Sequence, residues 1–194
     1  TVNVYLSAFQ SFHAWAVNNG YAVENVFLGL RVPQKTRDKT KQRASFDAAQ
    51  LAILFRHLTT NPDSLVNKDE HKWPTLIAMF TGARLNEVAQ LHATDIRQQD
   101  GTWFIDINDD DGKSLKTSAS RRVVPVHQKL LDVGLLSFAE TYRGGASGRL
   151  FPSLSYSPQN GYGRNVGRWF NEKFLPALGL KQDTLVFHSL RHSM

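Results

Sequence analysis

The chain is 194 residues long, 41% apolar and 21% charged, contains no cysteine, and carries a net charge of +6 with a pI near 9.7. That length suits one sizeable domain, or one domain with part of another, and the composition is that of a packed globular protein rather than a disordered one. The lack of cysteine excludes a disulfide framework and thiolate metal sites and fits a reducing cytosol. No run approaches the roughly 18 apolar residues of a membrane span. The excess of 23 Lys and Arg over 17 Asp and Glu favours an anionic partner, nucleic acid first. The opening TVNVYLSAFQ has neither an initiator Met nor the basic-then-apolar order of a signal peptide, so the sequence is expected to be a piece of a longer protein.

Val4, Phe9, Phe12, Trp15 and Ala16 recur at near-helical spacing and stop at Asn18-Asn19-Gly20, which predicts a helix ending there. The run from Pro33 to Arg43 has no apolar residue and a base at nearly every second position: Lys35, Arg37, Lys39, Lys41 and Arg43. It reads as an exposed linker, either a plain connector or a strap along DNA phosphates. The expected organisation is therefore 1–34, a linker 35–44, and a main domain 45–194. Ser45 is the expected N-cap of a second helix, with Asp47 in its first turn and Leu51, Leu54, Phe55 and Leu58 on its core-facing stripe. A polar loop over 59–72 leads to a third helix carrying Leu76, Ile77, Met79 and Phe80, which breaks near Gly82 and resumes from Arg84 to Leu91. β-forming residues dominate 102–108 (TWFIDIN), 114–117 (SLKT) and 121–126 (RRVVPV), which predicts three short antiparallel strands. Helical patterning returns over 129–142 and 165–174, the latter with Val166, Trp169, Phe170 and Phe174 on one face. The expected fold class is mainly α with a small three-stranded antiparallel sheet (α+β).

A few short stretches carry side chains suited to chemistry. Arg84 follows Thr81-Gly82-Ala83 at the helix break, with Glu87 three residues on. The two form either an ordinary surface ion pair or a guanidinium fork aimed at a phosphate and braced by a carboxylate. Lys113 and Lys116 precede Arg121-Arg122, and either lysine, placed on a hairpin, can reach into a groove as a proton donor. In VFHSLRHSM, His188 and Arg191 lie at i and i+3, so they share a helix face, while His192 lies at i+4. The two histidines lack the adjacent Glu and the third ligand of a zinc site. The turn Asp109-Asp110-Asp111-Gly112 lacks the spaced oxygen ligands of a calcium loop, and no G-x-S-x-G elbow is present.

Taken together and in order, T-G-A-R-L-N-E, K-T-S-A-S-R-R-V-V-P-V and F-H-S-L-R-H closely resemble the catalytic domain of the tyrosine recombinases, the phage-integrase family. The resemblance covers about 45–194. The helix and linker before it are similar to the end of that family's core-binding (SAM-like) domain. It implies site-specific DNA recombination or integration, by strand cleavage and rejoining through a 3′-phosphotyrosyl intermediate. On the matching positions, Arg84 and Arg191 hold the scissile phosphate, and Lys116 rather than Lys113 is the general acid for the leaving 5′-oxygen. His188 contacts the phosphate and assists proton transfer, and Glu87, Asp95 and His192 have supporting roles. Paired guanidinium forks suit the charge that builds on the equatorial oxygens of a phosphodiester under attack. Lys35, Arg37, Lys39, Lys41, Arg43, Arg121 and Arg122 are the expected DNA contacts. The resemblance implies no metal and no cofactor. The implied partner is double-stranded DNA, bound in the cytoplasm by four protomers around two duplexes, with the shorter chain monomeric.

One element of the pattern is missing. The family continues past the second arginine to a His or Trp and then to the nucleophilic tyrosine, whereas Tyr5, Tyr21, Tyr142, Tyr156 and Tyr162 all precede His188. The 194 residues alone are therefore expected to bind DNA without cleaving it covalently. The alternative is a non-catalytic DNA-binding module that retains the recombinase fold; a metal-dependent nuclease is a third possibility.

Overall fold

The structure, a computed structural model, describes residues 2–33 and 44–193, so the expected basic strap from Lys35 to Arg43 lies outside the described residues. The chain divides into two compact units, Thr1–Lys41 and Gln42–Met194.

In the first unit, α1 (Val2–Asn18) stops where Gly20 turns into the left-handed region at φ 76°. The chain then returns along the helix on side-chain amides. Asn25 Nδ2 donates to the Gln10 carbonyl at 2.9 Å, Gln10 Nε2 to the Phe27 carbonyl at 2.7 Å, and Asn3 pairs with both backbone groups of Val32. Phe27 stacks on Phe9 at 5.2 Å, yet of the helix's apolar residues only Ala16 is buried.

The second unit is mainly α, with one three-stranded antiparallel sheet in the order β1-β2-β3. Its first helix, α2 (Ala48–Thr59), begins at Asp47 rather than at Ser45. Asp47 Oδ1 accepts from the Gln50 N–H at 2.7 Å and Gln50 Oε1 accepts from the Asp47 N–H at 3.1 Å. This reciprocal box satisfies two otherwise orphaned donors. Ser45 instead donates to the His192 carbonyl at 2.9 Å. Helix α3 (Asp69–Thr81) is the central one, buried almost continuously from Trp73 to Met79. Asp69 and Glu70 in its first turn complement the positive end of the helix dipole. Leu54 and Leu58 of α2 and Leu76 and Ile77 of α3 are fully buried, each such side chain stabilising the fold by about 1.5–3 kcal/mol.

After α4 (Leu85–Ala89) and a 3-10 turn (Ala93–Asp95), the sheet differs from expectation in one strand. Strands β2 (Thr102–Ile107) and β3 (Arg122–Pro125) form where β-formers dominate, but SLKT is not a strand. The third partner is β1 (Ile96–Gln99), joined to β2 by the two-residue turn Asp100-Gly101. Both turn residues have positive φ, 50° and 77°, the geometry that matches the twist of a tight hairpin. The 129–142 helix is divided into α5 (Gln128–Asp132) and α6 (Leu135–Glu140), because Gly134 at φ 93° closes the first and opens the second. The last helical run is α7 (Arg164–Trp169), a π-helical turn (Phe170–Phe174) and α8 (Leu175–Ala177). It buries Val166, Trp169, Phe170 and Phe174, the face its spacing predicts. A single turn, α9 (Ser189–His192), follows.

Candidate functional site

The site is built around the break between α3 and α4. Gly82 ends α3 in the left-handed conformation (φ 60°, ψ 16°), where a Cβ is disfavoured, and the Ala83 N–H donates to Thr81 Oγ1 at 3.2 Å. Arg84 consequently enters α4 from an extended backbone (φ −68°, ψ 147°). Glu87, one turn on, reaches back and accepts from the Arg84 N–H at 3.0 Å and from Arg84 Nη1 at 2.7 Å. The same carboxylate accepts from Arg122 Nη2 at 2.9 Å, and Ser120 Oγ accepts from Arg84 Nη1 at 3.2 Å. The Glu87 side chain is 3% exposed, against 35% for Arg84 and 29% for Arg122. Burial alone would raise the Glu87 carboxyl, but the hydrogen bonds from Arg84 and Arg122 outweigh it and hold its pKa below the usual glutamate value. Two guanidiniums on one carboxylate leave a net positive site.

Arg191 comes to the same place from the far end of the chain. Its Nη1 donates to the Gly82 carbonyl at 2.7 Å, two residues before Arg84. His188, at the start of α9, meets the His192 ring edge-on at 5.0 Å. His188 and Arg191 line a cavity of about 270 Å³ together with Ala83, Leu85, Gly167, Asn171, Val186 and Phe187. The segment is held by Asn171 Oδ1, which accepts from the Phe187 N–H at 2.9 Å. Asn171 sits in the π-helical turn, a distortion that recurs where a side chain is given a special direction.

The connection from β2 to β3, residues 108–121, carries both lysines and separates them. Lys113 is buried, its Nζ donating to both Asp95 oxygens at 2.7 Å. Asp95 also accepts from Asn108 Nδ2 at 2.9 Å and from the His92 N–H at 2.7 Å. Lys116 is exposed, and one residue on, Thr117 Oγ1 shares a hydrogen bond of 3.1 Å with Ser120 Oγ. Arg121 is exposed and engaged by the acidic turn, Asp109 and Asp110, at 3.2 and 2.7 Å. Arg121 in turn holds the Asp110 carboxyl below its ordinary pKa.

Hydrogen bonds thus bring together Arg84, Glu87, Ser120, Arg122 and Arg191, with His188 beside Arg191 in one cavity. Asp95 stands apart at the base of the lysine loop. Among the described residues, no group of three or more His, Asp or Glu is placed to hold a metal. No described helix is long and apolar enough to cross a membrane. Sequence reasoning missed Ser120, Gln90, Asn171 and Asn86. The last had a signal, the glycines at 161, 163 and 167. A Cβ on Gly163 would fall 2.6 Å from Leu85 Cγ and 2.8 Å from Asn86 Oδ1, and the Gly163 N–H donates to that oxygen at 2.8 Å. Only glycine allows this close approach to the residues after Arg84.

His188 and Arg191 line one cavity beside the helix break that presents Arg84, and guanidinium forks and an imidazole are groups suited to a tetrahedral oxyanion. Helices around a three-stranded antiparallel sheet match the catalytic-domain fold of the tyrosine recombinases. The family model described as the phage integrase family matches residues 45–194, and the chain belongs to that family. Among solved structures, the chain is similar to the XerH site-specific recombinase bound to difH substrate in a pre-cleavage complex, with 19% identity and a TM-score of 0.53 over 79% of this chain and 42% of that one. The XerH post-cleavage complex with palindromic difH gives the same identity and TM-score, over 79% and 41%. At 19% identity the likeness concerns the fold, and the matched part spans about two fifths of the XerH chains. None of the curated proteins matches the chain.

Proposed function

We propose that this chain carries the DNA-cleaving domain fold of a tyrosine-type site-specific recombinase, an integrase acting on double-stranded DNA at attachment or recombination sites. The observation that carries the reading is the bond from Arg191 Nη1 to the Gly82 carbonyl, 109 residues earlier, which joins the F-H-S-L-R-H box to the helix break that presents Arg84. Arg84 and Arg191 hold the scissile phosphate and neutralise its equatorial oxygens as charge builds up. His188 assists at the phosphate. Lys116 protonates the leaving 5′-oxygen, a role its exposure suits and the burial of Lys113 against Asp95 does not. Glu87 and Arg122 brace Arg84 from beneath.

A tyrosine oxygen attacks phosphorus as its hydroxyl proton passes to His188, the P–O5′ bond breaks, and the departing oxygen takes its proton from Lys116. The 3′-phosphotyrosyl bond keeps the energy for rejoining to another strand's 5′-hydroxyl. In this reading the nucleophile lies outside these 194 residues, since Tyr5, Tyr21, Tyr142, Tyr156 and Tyr162 all precede His188 whereas the family's nucleophile follows it. This chain alone binds DNA without cutting it. The full-length protein works in the cytoplasm as a tetramer on two duplexes. Residues 1–34 are the end of a core-binding domain, and Lys35, Arg37, Lys39, Lys41 and Arg43 of the linker contact DNA phosphates. Arginines and a lysine do the charge work, so the scheme calls for no cofactor. In the full-length protein, Arg84→Ala or Arg191→Ala should each reduce strand cleavage by roughly 10²–10³-fold, and near-normal cleavage by either would overturn the assignment.

A further inference from the structure

We propose that Gln90 and Lys113 are positioning residues for Lys116, fixing the loop that carries it to the same short stretch of backbone that presents Arg84. The inference rests on the general-acid reading of Lys116. The β2–β3 connection runs from 108 to 121, whereas β1 and β2 are joined by two residues. A connection of that length has no preferred path unless something ties it down.

Three ties do so, all to the run from Arg84 to Asp95. Lys113 Nζ grips both Asp95 oxygens at 2.7 Å. Gln90 pairs with the backbone of Ser114 in both directions: its Nε2 donates to the Ser114 carbonyl at 2.8 Å and its Oε1 accepts from the Ser114 N–H at 3.0 Å. At the far end Ser120 Oγ accepts from Arg84 Nη1 at 3.2 Å. Lys116 sits between the second and third ties. Gln90 and Lys113 are themselves 6% and 9% exposed, so their polar ends are committed to these contacts. An amide side chain used as a substitute strand neighbour sets the loop's register as a β-ladder would. Proton transfer needs the lysine amine within hydrogen-bond reach of the leaving oxygen, and a 1 Å misplacement costs up to about 10²-fold. Loss of either anchor therefore removes general-acid catalysis while leaving the arginine cradle in place.

The test uses the full-length protein carrying Gln90→Met, Lys113→Met or Lys116→Ala. Cleavage is measured on ordinary duplex DNA and on a duplex with a 5′-bridging phosphorothiolate, whose sulfur departs without a proton. Gln90→Met keeps the side chain's length, and because Ser114 is exposed, water replaces the lost backbone bonds. Both anchor variants should cut ordinary DNA at least about tenfold more slowly than wild type and return to within about threefold of it on the sulfur substrate. Equal slowing on both substrates, or no slowing on ordinary DNA, overturns the proposal. Should Lys113→Met fail to fold, Gln90→Met decides alone. If Lys116→Ala itself is not rescued by sulfur, the general-acid reading fails, and the anchors lose their role with it.

Discussion

Glu87→Gln keeps the shape of the side chain under the arginines and removes its charge. The carboxylate accepts from the Arg84 N–H, Arg84 Nη1 and Arg122 Nη2 at 3.0, 2.7 and 2.9 Å. A neutral amide retains one acceptor oxygen and turns its NH₂ towards a guanidinium. Hydrogen bonds to charged groups contribute about 1.5–3 kcal/mol each, and breaking a wholly buried pair costs about 3–5 kcal/mol. Here Arg84 and Arg122 are 35% and 29% exposed, so water takes up part of the loss. The expected net cost is about 2 kcal/mol. In a chain of this size that lowers Tm by about 4–8 °C, read by thermal circular dichroism at pH 7. The pH dependence sharpens the test. The folded carboxyl titrates below its unfolded value of about 4.3, so its stabilisation is complete above that value and disappears as pH falls through the folded pKa. The deficit of the variant should be constant from neutrality to about pH 5 and close in stronger acid. An unchanged Tm at pH 7, or a deficit undiminished in acid, would refute the picture of Glu87 as an ionised brace.

Gly163→Ala should cost about 1–3 kcal/mol in chemical denaturation through overpacking alone, because φ is −77° and the added Cβ meets Leu85 and Asn86 at 2.6 and 2.8 Å. Unchanged stability would show that the close approach does not constrain the start of α4. Binding of this chain to duplex DNA should weaken steeply with salt, with a log–log slope of about −0.9 per phosphate neutralised; a flat dependence counts against a DNA-binding surface.

Much of the site was legible because its signals are local. Gly82 announces the helix break, Glu87 lies one turn from Arg84, and His188 and Arg191 are three residues apart. The strand β1 was not legible, since IRQQ buries only Ile96 and shows no apolar alternation; Asp100-Gly101 was its one clue. SLKT has β-forming residues but is held by Gln90 on the Ser114 backbone, with Lys113 just before it tied to Asp95, in place of a ladder. Position alone made Lys113 as good a candidate as Lys116. What separates them is Asp95, 18 residues before Lys113, a contact that no local pattern encodes. The clasp of Asn86 on Gly163 spans 77 residues and was hidden for the same reason.

The central claim is that Arg84 and Arg191 converge on one phosphate for attack by a tyrosine. It is tested most directly by trapping the covalent intermediate of the full-length protein on a nicked suicide duplex, in the presence of a metal chelator. The account predicts a denaturation-resistant protein–DNA adduct linked through a 3′-phosphotyrosine, lost in Arg84→Ala and in Arg191→Ala. No adduct from the wild-type protein, or adducts undiminished in both variants, would contradict it.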